Sequence, residues 1–463
     1  MVIVKSSSGI RGTIGGLVGK CLSPIDVVKI ISGYAYWIKN RSKLYRNKNI
    51  ILLGIDGRST SEMFHKLISS TIKSSGINIL DIGLSTTPTI GFAILNENVL
   101  GGIMITASHN PKNWNGLKLF NYYGEFLSSI EIKSLFRIIK KKYFKFVSYK
   151  KLGKIFYKKD YINKHINKIL SLPIIDKENI KKCKLKIVVD GINSTGGIAV
   201  PILLKKLGIN VIKIHCNPDG NFKRNPEPIK KNLKEICKKV LSEKANLGIS
   251  VDPDVDRVVF ICENGAFFGE EYTLISIVDY ILKNEKGPVV STLSSSNILE
   301  YISLKNKVPF YTSPVGEVNV VKQMKKVNAI IGGEGNGGII YPKLRYGRDA
   351  LIGIALFLSY LSKLNCISLS NLKKLYPISF MSKKKIRLSF CYKKFIENIK
   401  KKYKKEKINV NDGIKINFMN NEWIHIRKSN TENIIRIYSE SHISNNRANY
   451  LTNGIINDIK KII

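Results

Sequence analysis

Short apolar runs alternate with longer helical stretches along most of the chain, and this alternation constrains the fold more than any other feature. Residues 50–55 read as a strand, a helical pattern follows through Met63, Leu67 and Ile68, and residues 77–82 and 100–105 read as further strands. Parallel strands need a crossover long enough to hold a helix, so this cadence implies an α/β layer with mostly parallel strands. It recurs downstream: 185–191 is strand-like and ends in a glycine turn, 196–207 is helical, and 211–214, 247–251, 288–292 and 329–333 are strand-like. Modules of roughly 100 residues follow, with no obvious sequence repeat between them. Near the C-terminus, 414–418, 423–427 and 434–438 succeed one another as short strands before a last helix, the pattern of a smaller α+β unit. The lysine-rich stretches 140–158 and 367–386 read as linkers. A length of 463 residues suits about three or four domains.

The formal net charge is +42. A polyanion-binding protein would concentrate such charge on one face or tail. Here the lysines are scattered, often in short runs such as 140–142 and 383–385, and no RNA-binding, zinc-finger or basic-zipper pattern appears. Solvated faces are the expected reading, nucleic acid is not an expected partner, and the positive field helps to draw in an anionic substrate. Cysteines 21, 183, 216, 237, 262, 366 and 391 are odd in number and form no C-x-x-C pair, so reduced, mostly buried thiols in a cytoplasmic protein are expected. The opening residues lack the pattern of a secretory signal. The apolar stretch 350–361 is shorter than the roughly 20 residues a bilayer requires, and reads as a buried helix rather than a membrane segment.

Four loops carry chemistry-bearing residues, three of them after strand-like runs, where open α/β sheets bind ligands. Thr106-Ala107-Ser108-His109-Asn110-Pro111 follows 100–105. On its own it is a serine-bearing turn, but Lys118 lies seven residues past Pro111 and is suited to acid–base work or to pairing with phosphate. Asp252-Pro253-Asp254-Val255-Asp256-Arg257 offers three carboxylates at i, i+2 and i+4, able to converge on one hard cation. A calcium EF-hand is the rival: Glu263 falls on its twelfth position, but Arg257 occupies the sixth, where that loop needs glycine. Gly332-Gly333-Glu334-Gly335-Asn336-Gly337-Gly338 gives backbone freedom with side chains that hydrogen-bond hydroxyls, and lacks a Walker ending. Arg427-Lys428-Ser429-Asn430-Thr431, with Arg436 beyond it, has the composition of a phosphate cradle. His65, His165, His215, His425 and His442 show no metal-ligand spacing and are expected in structural or surface roles.

In this order and spacing, from Gly9-Ile10-Arg11-Gly12 to Arg436, the loops resemble those of the α-D-phosphohexomutase superfamily. The resemblance implies an α/β fold class: three α/β domains with mixed sheets and a smaller C-terminal α+β domain around a central cleft. The corresponding units are 1–152, 153–265, 266–372 and 373–463. It further implies that Ser108 is a phosphoserine, and that Asp252, Asp254 and Asp256 hold one Mg²⁺ together with it. Arg11, Lys118, His109 and Arg257 would lie at the reacting group, with the choice between Arg11 and Lys118 as base left open. Glu334, Asn336 and Gly337 would bind the sugar, and Arg427, Ser429, Asn430, Thr431 and Arg436 the non-reacting phosphate. The expected reaction interconverts hexose 6- and 1-phosphates through a 1,6-bisphosphate, which also serves as activator, in a monomer or homodimer. Asn336 and Gly338 depart from a loop that often carries serine and histidine there. Arg58 sits in an altered form of a family segment and is expected to matter structurally. The details look most like the phosphoglucosamine mutase and phosphomannomutase-like branch, so a hexosamine phosphate is the expected substrate. A phosphomannomutase/phosphoglucomutase and, more remotely, a metal-dependent phosphatase are the alternatives.

Overall fold

The apolar runs become buried strands, and their pairing shows a repeat invisible in the residues. The computed structural model describes residues 3–6, 9–42, 48–429 and 434–461. In chain order the strands are β1 (Ile3–Ser6), β2 (Gly9–Thr13), β3 (Lys48–Ile55), β4 (Asn78–Leu84), β5 (Val99–Ile105), β6 (Trp114–Phe120), β7 (Ile155–Tyr157), β8 (Lys186–Asp190), β9 (Asn210–Ile214), β10 (Leu247–Val251), β11 (Val258–Cys262), β12 (Val289–Thr292), β13 (Phe310–Ser313), β14 (Ile331–Glu334), β15 (Gly338–Ile340), β16 (Phe380–Arg387), β17 (Lys407–Asn409), β18 (Ile414–Asn417), β19 (Trp423–Lys428) and β20 (Ile434–Ser441).

Four sheets result, ordered β1-β2-β6-β5-β3-β4-β7, β11-β10-β8-β9, β13-β12-β14-β15 and β16-β20-β19-β18-β17. The first three share one core: two parallel strands, then a third parallel strand on the inner side, then an antiparallel neighbour. The sheets are therefore mixed, as the resemblance implies, and three of the four strands in the second and third sheets run parallel. The antiparallel step has a local cause, since a short hairpin connection cannot join parallel neighbours. In each sheet that hairpin connection, 106–113, 252–257 or 335–337, carries the chemistry. The fourth sheet is antiparallel throughout, and its β19–β20 connection carries the last loop.

Two expected linkers are partly structured. Residues 155–157 form β7, parallel to β4, so the first sheet runs past position 152. Residues 380–387 form β16, paired along its length with β20. Exposed Lys383, Lys385 and Arg387 alternate with the less exposed Lys384 and Ile386, as expected when one strand face meets water. The second and third sheets share a single hydrophobic core across 265/266. The helix Ala350–Lys363 is buried there as expected, and its Phe357 stacks on Phe260 of β11 with centroids 3.9 Å apart. Among the described residues, no helix is long and apolar enough to cross a membrane.

The cysteines correct the expectation of uniformly reduced thiols. Cys183, closing the helix Lys177–Lys182, is disulfide-bonded to Cys366, which follows Ala350–Lys363, with Cα atoms 5.8 Å apart. The partners lie 183 positions apart and meet only because their helices pack together, so no local spacing announces them. Of the free cysteines, Cys21 and Cys262 are buried and Cys391 is exposed.

Candidate active site

Ser108 follows the fully buried strand β5 and has a φ of 48°, a left-handed conformation that costs a non-glycine residue energy unless its surroundings impose it. The imposing groups are present. The Ser108 N–H donates to Thr106 Oγ1 at 2.9 Å, and that hydroxyl donates to Asp56 Oδ2 at 2.6 Å. The Arg58 guanidinium donates to the carbonyls of Ser108 (2.6 Å), Asn110 (2.7 Å), Trp114 (2.8 Å) and Pro111 (2.9 Å), and its Nε lies 3.3 Å from Asp56. Arg58 thus has the structural role expected of it. Held this way, the buried Ser108 hydroxyl donates to Asp252 Oδ2 at 2.7 Å and lies 3.3 Å from His109 Nδ1. Burial, then the charges of Arg257 and Arg11, holds His109 well below the usual histidine range, so its ring is neutral. Arg11 reaches the same loop, donating to Asn110 Oδ1 at 3.2 Å and the Ala107 carbonyl at 3.4 Å. Burial brings its pKa down to about 10, against the pull of Asp254 and Asp256.

The carboxylate loop is equally ordered. Val255 takes a φ of 62°, and Asp252 Oδ1 accepts the N–H groups of Asp256 (3.1 Å) and Arg257 (3.2 Å). Lys118, fully buried on β6, bridges Asp254 Oδ2 at 2.5 Å and Asp256 Oδ2 at 2.7 Å. Thr87 also donates to Asp254 Oδ2, and Arg348 Nη2 donates to Asp256 Oδ2 at 2.8 Å. The two Oδ2 atoms are thus engaged by protein donors, while the buried Oδ1 atoms of Asp254 and Asp256 accept no hydrogen bond. Arg257 Nε is 3.6 Å from Asp256 Oδ1. The three aspartates present ligand oxygens within 4.8 Å of one another. Burial, then repulsion from Asp256 and Asp254, pushes the Asp252 carboxyl up to about 8. Open carboxylate oxygens in so dry a site fit a hard divalent cation, with positions left for a phosphate or water.

In the glycine-rich loop 332–338, Glu334 is braced at both oxygens, by the Gly316 N–H at 3.0 Å and Arg348 Nη1 at 2.7 Å. Asn336 Oδ1 accepts the Gly338 N–H at 3.2 Å. Gly337 has a φ of 84°, and a Cβ there would stand 2.1 Å from the Val258 carbonyl, so this glycine lets two backbones meet. In the fourth sheet Arg427 and Arg436 are cross-strand partners, and the Ser429 N–H donates to the Ile434 carbonyl at 2.9 Å. Asn430 and Thr431 lie outside the described residues.

The structure thus brings Ser108, His109, Arg11, Lys118, Arg257 and the three aspartates together, with Glu334 joined to them through Arg348. Sequence reasoning missed Arg348 and the part played by Thr87 and Asp56, none of which sits in a chemistry-bearing loop. Of the remaining histidines, expected in structural or surface roles, His165 is buried between Thr89 and Asp349 and His442 bonds the Ile378 carbonyl at the surface.

Comparison with known proteins gives these loops a common context. Models of phosphoglucomutase/phosphomannomutase domains match in succession: α/β/α domain I over residues 3–146, domain II over 159–265, domain III over 269–378 and the C-terminal domain over 385–457. A phosphoglucomutase/phosphomannomutase of Thermococcus kodakarensis is 33% identical over 450 residues, covering 96% of this chain and 97% of its own. A phosphoglucosamine/phosphogalactosamine mutase of Sulfurisphaera tokodaii is 31% identical over 471 residues, covering 99% and 98%. Among solved structures, a phosphoglucomutase/phosphomannomutase family protein from Burkholderia thailandensis shares the fold with a TM-score of 0.82 at 20% identity, over 99% of this chain and 96% of that one. The chain therefore belongs to the phosphoglucomutase/phosphomannomutase family and is a phosphohexomutase, an isomerase acting by intramolecular phosphotransfer.

Proposed function

We propose that the enzyme interconverts glucosamine 6-phosphate and glucosamine 1-phosphate through a phosphoserine at Ser108. The observation that carries the reading is the Ser108–Asp252 hydrogen bond, which sets a buried hydroxyl against three carboxylates, two of them with an oxygen free of hydrogen bonds. In this scheme the phosphoryl group on Ser108 passes to the free hydroxyl of the hexose phosphate. The bond from phosphorus to the serine oxygen breaks as the bond to the sugar oxygen forms, and the hydroxyl proton passes through Arg11 or Lys118, in its neutral form, to the departing serine oxygen. The resulting 1,6-bisphosphate turns over within the cleft, and its other phosphate returns to Ser108. The same bisphosphate, added in trace, primes unphosphorylated enzyme.

Asp252, Asp254, Asp256 and the phosphoserine would hold one Mg²⁺, which would supply positive charge beside the phosphoryl group. Such transfers depend on positioning and charge neutralisation, which suits Arg257 and His109 flanking the serine. Glu334 and Asn336 contact sugar hydroxyls on the turn that Gly337 permits. Arg427, Ser429 and Arg436, with Asn430 and Thr431, hold the stationary phosphate. Among the described residues the buried Arg427 Nε has no hydrogen-bond partner, in keeping with an anion site.

The Sulfurisphaera relative's name supports an amino sugar. The Thermococcus relative's name favours a second reading, a phosphoglucomutase/phosphomannomutase, and the departures at Asn336 and Gly338 bear on that choice. The test is kcat/KM for the phosphates of glucosamine, glucose and mannose, with Mg²⁺ and a trace of the matching bisphosphate. Glucosamine phosphate should lead by about 10-fold or more. A lead for glucose or mannose selects the second reading, and inorganic phosphate appearing faster than isomer makes the enzyme a phosphatase instead.

A further inference from the structure

Arg348 spreads its three guanidinium nitrogens over three carboxylates from three separate elements. Nε donates to Glu317 Oε2 at 3.0 Å, in the first turn of the helix Glu317–Val327. Nη1 donates to Glu334 Oε2 at 2.7 Å, at the end of β14, and Nη2 to Asp256 Oδ2 at 2.8 Å. Its backbone N–H adds a bond to Glu317 Oε1 at 3.2 Å. The side chain is only 4% exposed. Its stem also explains a residue. A Cβ on Gly338 would stand 2.3 Å from Arg348 Cδ and 3.1 Å from Cγ. Arg348 thus fills the space that any side chain at 338 would enter.

We propose that Arg348 is a positioning residue that couples the sugar loop to the metal loop. It shares Asp256 Oδ2 with Lys118, which leaves Asp256 Oδ1 as the oxygen open to a cation. The same guanidinium braces Glu334, so a change in what Glu334 balances is passed to Asp256 through one rigid planar group. A lysine has no such fork and cannot serve three carboxylates in these directions. The proposal rests on the metal reading above, and adds that the metal site responds to a residue that is not a ligand.

The test is Mn²⁺ binding to the full-length enzyme without sugar, for the parent, Glu334→Gln, Arg348→Lys and the double variant. Arg348→Lys should weaken Mn²⁺ by about 10-fold. Glu334→Gln should weaken it about 5-fold in the parent background and leave it unchanged in the Arg348→Lys background, because coupled residues are non-additive. An equal effect of Glu334→Gln in both backgrounds, or parental Mn²⁺ affinity in Arg348→Lys, overturns the proposal. Should Arg348→Lys fail to fold, Gly338→Ala crowds the arginine stem while keeping every charge. It should weaken Mn²⁺ in the same direction, and parental affinity there counts against the coupling. A parent that binds no Mn²⁺ overturns the metal reading itself, a result distinct from additivity.

Discussion

The Arg58 guanidinium holds the Ser108 carbonyl at 2.6 Å, and three other carbonyls between Asn110 and Trp114 take its remaining bonds. One side chain thereby fixes the turn that presents Ser108. The ring of Phe222, from the second domain, lies 5.0 Å from the same guanidinium, so the turn is held from across a domain boundary.

Arg58→Lys keeps the charge and loses the fork. The buried Ser108 carbonyl and three partly exposed ones then lose donors, at a cost of about 1–3 kcal/mol each where no water replaces the bond. Denaturant unfolding should show a loss of roughly 3 kcal/mol, and initial rates a kcat about 10²-fold lower because Ser108 is released from its conformation. A parental kcat in a destabilised variant would mean that the turn holds without Arg58.

Ser108→Ala should abolish isomer formation, by about 10³-fold or more, together with phosphate incorporation seen by intact mass. The same variant should still bind Mn²⁺, because the three aspartates remain.

Asp254→Asn removes one carboxylate charge of the proposed metal site while its neighbours keep theirs. Isothermal titration should show Mg²⁺ affinity lower by about 10²-fold. Chelation should stop turnover in the parent, and Mg²⁺ should restore it. Activity that survives chelation would argue against a metal.

A pH prediction comes from the second domain. Asp190 pairs with Arg224 at 2.6 Å and with His215 at 3.3 Å. Burial resists ionisation of Asp190, but Arg224 and His215 outweigh it and hold its pKa below 3.8. Its contribution is therefore complete above about pH 4 and is lost as pH falls through the folded value. His215 is raised above 6.5, first by its hydrogen bond to Asp190. Its contribution is complete below about pH 6.5 and is lost as pH rises through the folded value. Asp190→Asn should thus lower Tm most between about pH 4 and 6.5. Above that window the deficit should narrow without vanishing, since Arg224 stays unpaired. A deficit independent of pH would exclude His215 from the pairing.

Reduction of Cys183–Cys366 should lower the parent's stability by about 2–4 kcal/mol, as for a disulfide closing a long loop. Cys183→Ser should start from the lower value and show no further change with dithiothreitol, as read by thermal midpoints.

The element order was legible because burial imposes a period on the residues. The strands at 50–55, 100–105 and 247–251 are apolar because both faces are covered. The motif loops were legible because their chemistry needs particular side chains at short spacing. Arg58 was visible only as part of an altered segment, and Arg348 not at all: its partners Asp256, Glu317 and Glu334 lie 92, 31 and 14 positions away. Lysine-rich 380–387 was misread because its strand is identified by pairing with β20, whereas lysine composition alone looks like solvated chain.

By itself the sequence determined the cadence of strands and helices, the serine, the aspartate triplet and the family resemblance, since each depends on residues close together in the chain. Only the tertiary structure decided which carboxylate oxygens remain open, that Lys118 lies on two of the aspartates, and that Arg348 joins Glu334 to Asp256. Those outcomes depend on distances between atoms of different sheets, and such distances leave no periodic trace in the chain.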